Sequence, residues 1–135
     1  MRAILTLFFS LTLLACKGGS VPAAGAGGEI PVGTTTFTVT TPNAPTSYQI
    51  NGIENATLNL QRNGHYTFNI SATGHPFYIM SVQGTNTANA FTNGVTGNGT
   101  TSGTLTFNVP NTAPATLYYN CSVHSSMTGT INITN

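Results

Sequence analysis

Short segments of alternating apolar and polar residues run through this chain from residue 35 to its end. The clearest is 65–70, in which Tyr66, Phe68 and Ile70 occupy every second position. Alternation of period two places such side chains on one face of a β-strand. Similar short segments predict further strands at 35–40, 47–50, 57–60, 77–82, 105–109, 117–121 and 131–133.

Glycine, proline and asparagine separate these segments, and no segment combines helical periodicity with helix caps. Strands of this length and spacing are typical of two packed antiparallel sheets. We therefore predict an all-β domain, an antiparallel β-sandwich of about seven to eight strands. The segment 83–103 is long and rich in Gly, Asn and Thr, which predicts a functional or mobile loop that Phe91 attaches to the core.

The composition is unusually poor in charge. Charged residues make up only 4% of the chain, whereas about a quarter is ordinary for soluble domains. No basic stripe is present, so nucleic-acid binding lacks the electrostatic surface that it requires. Long-range steering of a partner would also be weak, so docking would depend on apolar and hydrogen-bonding contacts.

The N-terminus predicts export and lipidation. Arg2 precedes an apolar run over 3–14, which is short for a spanning helix, and Leu-Leu-Ala-Cys follows at 13–16. This pattern resembles a bacterial lipobox, in which the cysteine becomes the lipidated first residue of the mature protein. We predict a signal peptide at 1–15, lipidation of Cys16 and a lipid-anchored protein of the bacterial cell envelope, on the periplasmic side or at the outer membrane. The alternative is an ordinary secretory signal with a chance cysteine.

Residues 16–33 are rich in Gly and Ala and carry no apolar pattern. Such composition is typical of flexible coil, which predicts a tether between the lipid and a folded domain at 34–135. The chain has two cysteines, and lipidation of Cys16 would leave Cys121 without a disulfide partner. An unpaired cysteine in an oxidising compartment needs another role, and metal ligation supplies one.

The segment 121–127 reads Cys-Ser-Val-His-Ser-Ser-Met, so that Cys121, His124 and Met127 recur at intervals of three. His75 lies in Gly-His-Pro-Phe, just before another predicted strand. One Cys, two His and one Met form the ligand set of a mononuclear blue-copper site. Zinc is the alternative metal, but the methionine argues against it. His65 alternates outward on its strand and is not expected to be a ligand.

These motifs resemble the cupredoxin family of plastocyanin- and azurin-like proteins over residues 34–135. The ligand loop is similar to that of amicyanin. The resemblance implies a Greek-key sandwich holding one type 1 copper, with His75, Cys121 and His124 as equatorial ligands and Met127 as the weak axial ligand. It also implies that a backbone amide at or near residue 123 donates a hydrogen bond to the Cys121 sulfur, which tunes the reduction potential.

The sequence departs from the family pattern in two places: no proline lies between Cys121 and His124, where Ser122 and Val123 stand, and the residue after the first histidine ligand differs. The family often has asparagine directly after the first histidine ligand, where its side chain joins the two ligand loops. This chain has Pro76 there, and proline has no N–H to donate. The loops must therefore be held together by other residues.

We predict an electron-transfer protein rather than an enzyme. It is expected to be a monomer that docks redox proteins near His124, where Val123, Pro76 and Phe77 are the nearest apolar side chains. Thiol catalysis lacks support, because Cys121 is predicted to face inward and the only carboxylates are Glu29 and Glu54. Two alternatives remain open: a copper-binding module for trafficking or storage, and an adhesion or structural β-sandwich with an incidental metal site.

Overall fold

The structure, a computed structural model, describes residues 28–30 and 32–135. The predicted signal peptide, the predicted lipidation site Cys16 and the first part of the predicted tether lie outside these residues. Within them the structure has strands and one short 3-10 helix, Thr87–Asn89. None of the described segments is a helix with the length and apolar character needed to cross a membrane.

The described residues form ten strands. In chain order these are β1 (Thr36–Thr40), β2 (Gln49–Ile50), β3 (Ile53–Glu54), β4 (Leu58–Gln61), β5 (His65–Ser71), β6 (Phe77–Met80), β7 (Val95–Thr96), β8 (Ser102–Asn108), β9 (Thr116–Cys121) and β10 (Thr128–Thr134). All eight predicted strands are present. The two additional ones, β3 and β7, are only two residues long, too short to show alternation in the sequence.

The strands form two sheets, in the orders β3-β2-β1-β5-β8-β7 and β4-β10-β9-β6. The predicted all-β sandwich is therefore confirmed, but its sheets are mixed rather than purely antiparallel. β1 is parallel to β5, and β4 is parallel to β10. The two strands of each parallel pair are distant in the chain, and the chain passes through the other sheet between them. Alternation reports which face a residue occupies and says nothing about strand partners, so this feature was not predictable from the sequence pattern.

The core lies between the two sheets, and the predicted alternation accounts for it. On β5 the side chains of Tyr66, Phe68 and Ile70 are buried, and on β8 those of Leu105 and Phe107 are buried. The four-stranded sheet contributes apolar side chains from every strand: Leu58, Leu60, Phe77, Ile79, Leu117, Tyr119, Ile131 and Ile133. Burial of aromatic and branched aliphatic side chains is the main favourable contribution to the stability of such a domain.

The segment between β6 and β8 closes one side of the sandwich. The Asn98 side chain accepts a hydrogen bond from Ile79 N at 2.7 Å and donates to Ile79 O and Phe91 O, so its amide covers the free edge of β6. The Phe91 ring packs edge-on against Phe107, with centroids 6.0 Å apart. The predicted attachment of this loop through Phe91 is confirmed.

The chain joins the domain upstream of residue 34. Ile30 N donates to Thr57 O and Thr57 N donates to Gly28 O, each at 2.9 Å, and the Ile30 side chain is buried. The Glu29 carboxylate also accepts a hydrogen bond from Asn59. Residues 28–30 therefore extend the β4 edge of the four-stranded sheet.

Candidate metal centre

Two loops meet at one end of the four-stranded sheet. His75 and Pro76 lead into β6, and the segment 122–127 leaves β9. β6 and β9 are antiparallel neighbours in which Phe77 is paired with Cys121. Because the start of one strand lies beside the end of the other, the two loops converge, and this strand pairing brings His75 to residues far away in the chain.

The convergence brings three of the four predicted ligands together. The ligand atoms of His75, Cys121 and His124 all lie within 4.8 Å of one another. The two Nδ1 atoms of the histidines are 3.2 Å apart, and Cys121 Sγ is 3.9 Å from His124 Nδ1. Cys121 is fully buried and both imidazoles are half-buried. The arrangement is thus a buried thiol close to two half-buried imidazoles.

These separations fit a single metal ion. Bonds from a metal to imidazole nitrogen and to thiolate sulfur are about 2.0 Å and about 2.3 Å long in protein Cys/His sites. The two Nδ1 atoms, 3.2 Å apart, are close enough for one ion to bind both. Cys121 Sγ and His124 Nδ1, 3.9 Å apart, are also close enough to share that ion. A thiolate with two imidazoles is a donor set that suits copper in both its oxidation states.

Met127 lies at the end of the same tight loop. Met127 N donates to His124 O at 3.2 Å, and Cys121 N donates to Met127 O at 2.9 Å. These bonds fold the segment back on itself, as the spacing of the ligands requires. The Met127 side chain is fully buried in the core that also contains Cys121. Its role as axial ligand stays a prediction.

The Cys121 sulfur accepts a backbone hydrogen bond. Val123 N donates to Cys121 Sγ at 3.4 Å, at the position that the family resemblance implies. A hydrogen bond to a thiolate withdraws electron density from it and so tunes the site.

The structure also shows how the loops stay together without asparagine at position 76. Ser122 N donates to Pro76 O at 3.4 Å, and His75 N donates to Ala72 O at 2.8 Å. The hydroxyl of Tyr48, which directly precedes β2 of the other sheet, donates to both His75 O and Pro76 O at 2.8 and 3.0 Å. Burial raises the pKa of Tyr48, and the neighbouring Cys121 raises it further, so this hydroxyl keeps its proton. Sequence reasoning missed Tyr48, because a tyrosine in a short strand carries no local signal of such a contact.

His65, which is not expected to be a ligand, lies away from the site. His65 is exposed at the end of β5 remote from His75, where its Nδ1 lies 2.7 Å from Asn108 Oδ1, outside the ligand cluster.

The apolar surface predicted near His124 is smaller than expected. Val123 is 58% exposed and Pro76 is half-buried, but Phe77 is fully buried. Phe77 faces inward because it is paired with Cys121 and shares its face of the sheet, so it cannot contribute to a docking surface.

Comparison with solved structures identifies similar folds. A crystal structure of rusticyanin variants matches with a TM-score of 0.52 and 23% identity, over 83% of this chain and 84% of that one. Rusticyanin from Thiobacillus ferrooxidans matches over 85% of each chain, with a TM-score of 0.47 and 23% identity. A multicopper oxidase variant from Aquifex aeolicus matches 84% of this chain and 30% of its own, with a TM-score of 0.46 and 14% identity. No protein-family model and no curated protein sequence matches this chain. The first of these likenesses shows that the chain shares its β-sandwich fold with rusticyanin.

Proposed function

We propose that this chain, which has the cupredoxin fold, is a type 1 copper protein that carries single electrons. The observation that carries the proposal is the convergence of Cys121, His75 and His124, with their ligand atoms within 4.8 Å, at one end of that fold. Among residues 28–30 and 32–135, this is the one group of three or more such side chains placed to hold a metal ion.

Bound copper would supply one-electron chemistry, and the protein residues would set its surroundings. The Cys121 thiolate and the two imidazoles would hold the metal, and Met127 would be the weak axial ligand. Cys121 is fixed by strand pairing to β6 and by the bond from its own N–H to Met127 O. Ligands held by such a frame move little when the charge of the site changes, so each electron transfer would require little reorganisation.

The described residues do not favour an enzyme. The Glu54 carboxylate accepts a hydrogen bond from Asn43, and Glu29 accepts one from Asn59. Neither carboxylate belongs to the His-Cys-His group. General acid–base catalysis needs a titratable group within hydrogen-bond reach of a reacting atom, and the site offers only the residues that would hold the metal.

We further propose that the protein is anchored by lipid at Cys16 and exchanges electrons with redox proteins of the bacterial envelope. Partners would dock at the loop that carries His124, where Val123 is exposed. The low charge of the chain supports recognition by short-range apolar and hydrogen-bonding contacts.

The proposal is tested by adding Cu(II) to the metal-free full chain, purified in detergent. Thiolate-to-copper charge transfer should give an intense blue absorption at one equivalent of copper. Reversible voltammetry with rapid electron exchange would then support an electron carrier, whereas transfer of copper to an acceptor protein would support trafficking. A colourless complex, with Cys121 shown to be reduced and accessible to Cu(II), would exclude the type 1 site.

Replacement of Met127 by leucine tests the axial position. Met127→Leu should retain the blue absorption, because the thiolate and both imidazoles remain. The reduction potential should rise, since the axial thioether no longer donates to Cu(II). Leucine has similar volume, so the buried position should be filled at a cost below about 1.5 kcal/mol. An unchanged potential in voltammetry would show that Met127 is only a core residue.

A further inference from the structure

Tyr48 directly precedes β2 and Asn55 directly follows β3, and this hairpin contacts the His75 loop through Tyr48. The Tyr48 side chain is fully buried, and its ring packs edge-on against Phe77 with centroids 5.1 Å apart. Its hydroxyl proton is shared between the carbonyls of His75 and Pro76, at 2.8 and 3.0 Å. One side chain therefore fixes both carbonyls of the backbone that carries the first histidine.

The same hairpin contacts the other ligand loop through Asn55. Asn55 Nδ2 donates to Ser126 O at 3.0 Å, one residue before Met127. Asn55 is itself bonded to Tyr48: its Oδ1 accepts from Tyr48 N at 3.1 Å, and its N–H donates to Tyr48 O at 2.8 Å. The Ser126 hydroxyl adds a further bond, to Pro45 O at 2.8 Å.

We propose that Tyr48 and Asn55 form a brace that positions the two ligand loops relative to each other. The inference rests on the copper site proposed above. It assigns to Tyr48 and Asn55 the joining of the two loops, for which Pro76 offers no side-chain hydrogen bond. The direct backbone bond between the loops, from Ser122 N to Pro76 O, is long at 3.4 Å. The brace instead joins them through the opposite sheet, with Tyr48 bonded to one loop and Asn55 to the other. Both are positioning residues, because neither is a ligand.

The test compares two variants of the full chain with two matched controls. Tyr48→Phe removes only the hydroxyl, and Tyr66→Phe removes another buried hydroxyl, which accepts from Gln61 N at 2.7 Å at the end of β5 remote from His75. Asn55→Gly removes the side chain and tolerates the positive φ of 43°. Asn51→Gly does the same on the same hairpin, where φ is 48° and the side chain accepts from Thr38 N at 2.7 Å.

In the metal-free protein, amide hydrogen exchange at His75 and Met127 should accelerate in Tyr48→Phe and Asn55→Gly but not in the controls. In the copper-loaded protein, release of copper to a chelator should be about fivefold to tenfold faster, the change expected from losing a net hydrogen bond. The copper hyperfine splitting in electron paramagnetic resonance should also shift. The double variant should release copper more slowly than the product of the single effects predicts, because the two residues act as one unit.

Unchanged exchange at His75 and Met127 in both variants would overturn the brace, as would equal changes in the controls. The two proposals fail separately. A wild-type chain that gives no blue complex would contradict the copper site, whereas the exchange measurement on the metal-free protein tests the brace without any metal.

Discussion

Replacing Cys121 with serine is expected to abolish the blue absorption completely. The band arises from charge transfer out of a thiolate, and a serine hydroxyl stays protonated and cannot donate in that way. Cys121 is fully buried, and serine is nearly its size, so the strand pairing with Phe77 should survive. Titration with Cu(II), followed by absorption and electron paramagnetic resonance, measures the effect, and circular dichroism verifies that the variant is folded.

Cys16→Ser is the matched control, because it removes the only other cysteine of the chain. This variant should keep the blue absorption in full and lose its association with membranes if Cys16 is the lipidated residue. A blue complex that survives in Cys121→Ser would mean that the thiolate assignment is wrong.

The candidate ligand residues could be singled out in the sequence because their side chains carry recognisable chemistry. Cys121, His124 and Met127 lie within one short segment, and alternation along β9 indicated that the thiol faces inward. His75 required the further step of placing Gly-His-Pro at the start of a strand. The structure brings His75, Cys121 and His124 within reach of one ion. This was possible because Cys121 ends β9, Met127 directly precedes β10, and His75 lies two residues before β6, all strands with a clear pattern.

The support of the site was not predictable from the same reasoning. Tyr48 and Asn55 act on backbone carbonyls of residues distant in the chain, and such contacts leave no periodicity and no motif. The burial of Phe77, by contrast, could have been foreseen. Phe77 and Ile79 alternate with Tyr78 on β6, which places Phe77 on the core face rather than at the surface beside His124.

Because Phe77 links the core to the site, its truncation should affect both stability and metal binding. The ring is fully buried between Tyr119, stacked at 5.4 Å, and Phe68, at 5.7 Å. Phe77→Ala should lower the free energy of unfolding by about 3–5 kcal/mol, as large-to-small changes of buried phenylalanine do. That is a large part of the roughly 5–15 kcal/mol that stabilises a typical domain. Chemical denaturation of the metal-free protein measures this loss.

Phe107→Ala distinguishes an effect on the site from a general loss of stability. Phe107 is equally buried, but it lies on β8 opposite Tyr66, towards the end of the sandwich remote from His75. The two variants should lose similar stability, because each leaves a cavity of similar size. At a temperature where both are folded, only Phe77→Ala should release copper faster and shift the hyperfine splitting, since Phe77 follows Pro76 directly and pairs with Cys121. Equal changes in copper release and hyperfine splitting in both variants would show that the site responds to the stability of the whole domain. Phe77 would then have no specific effect on the site.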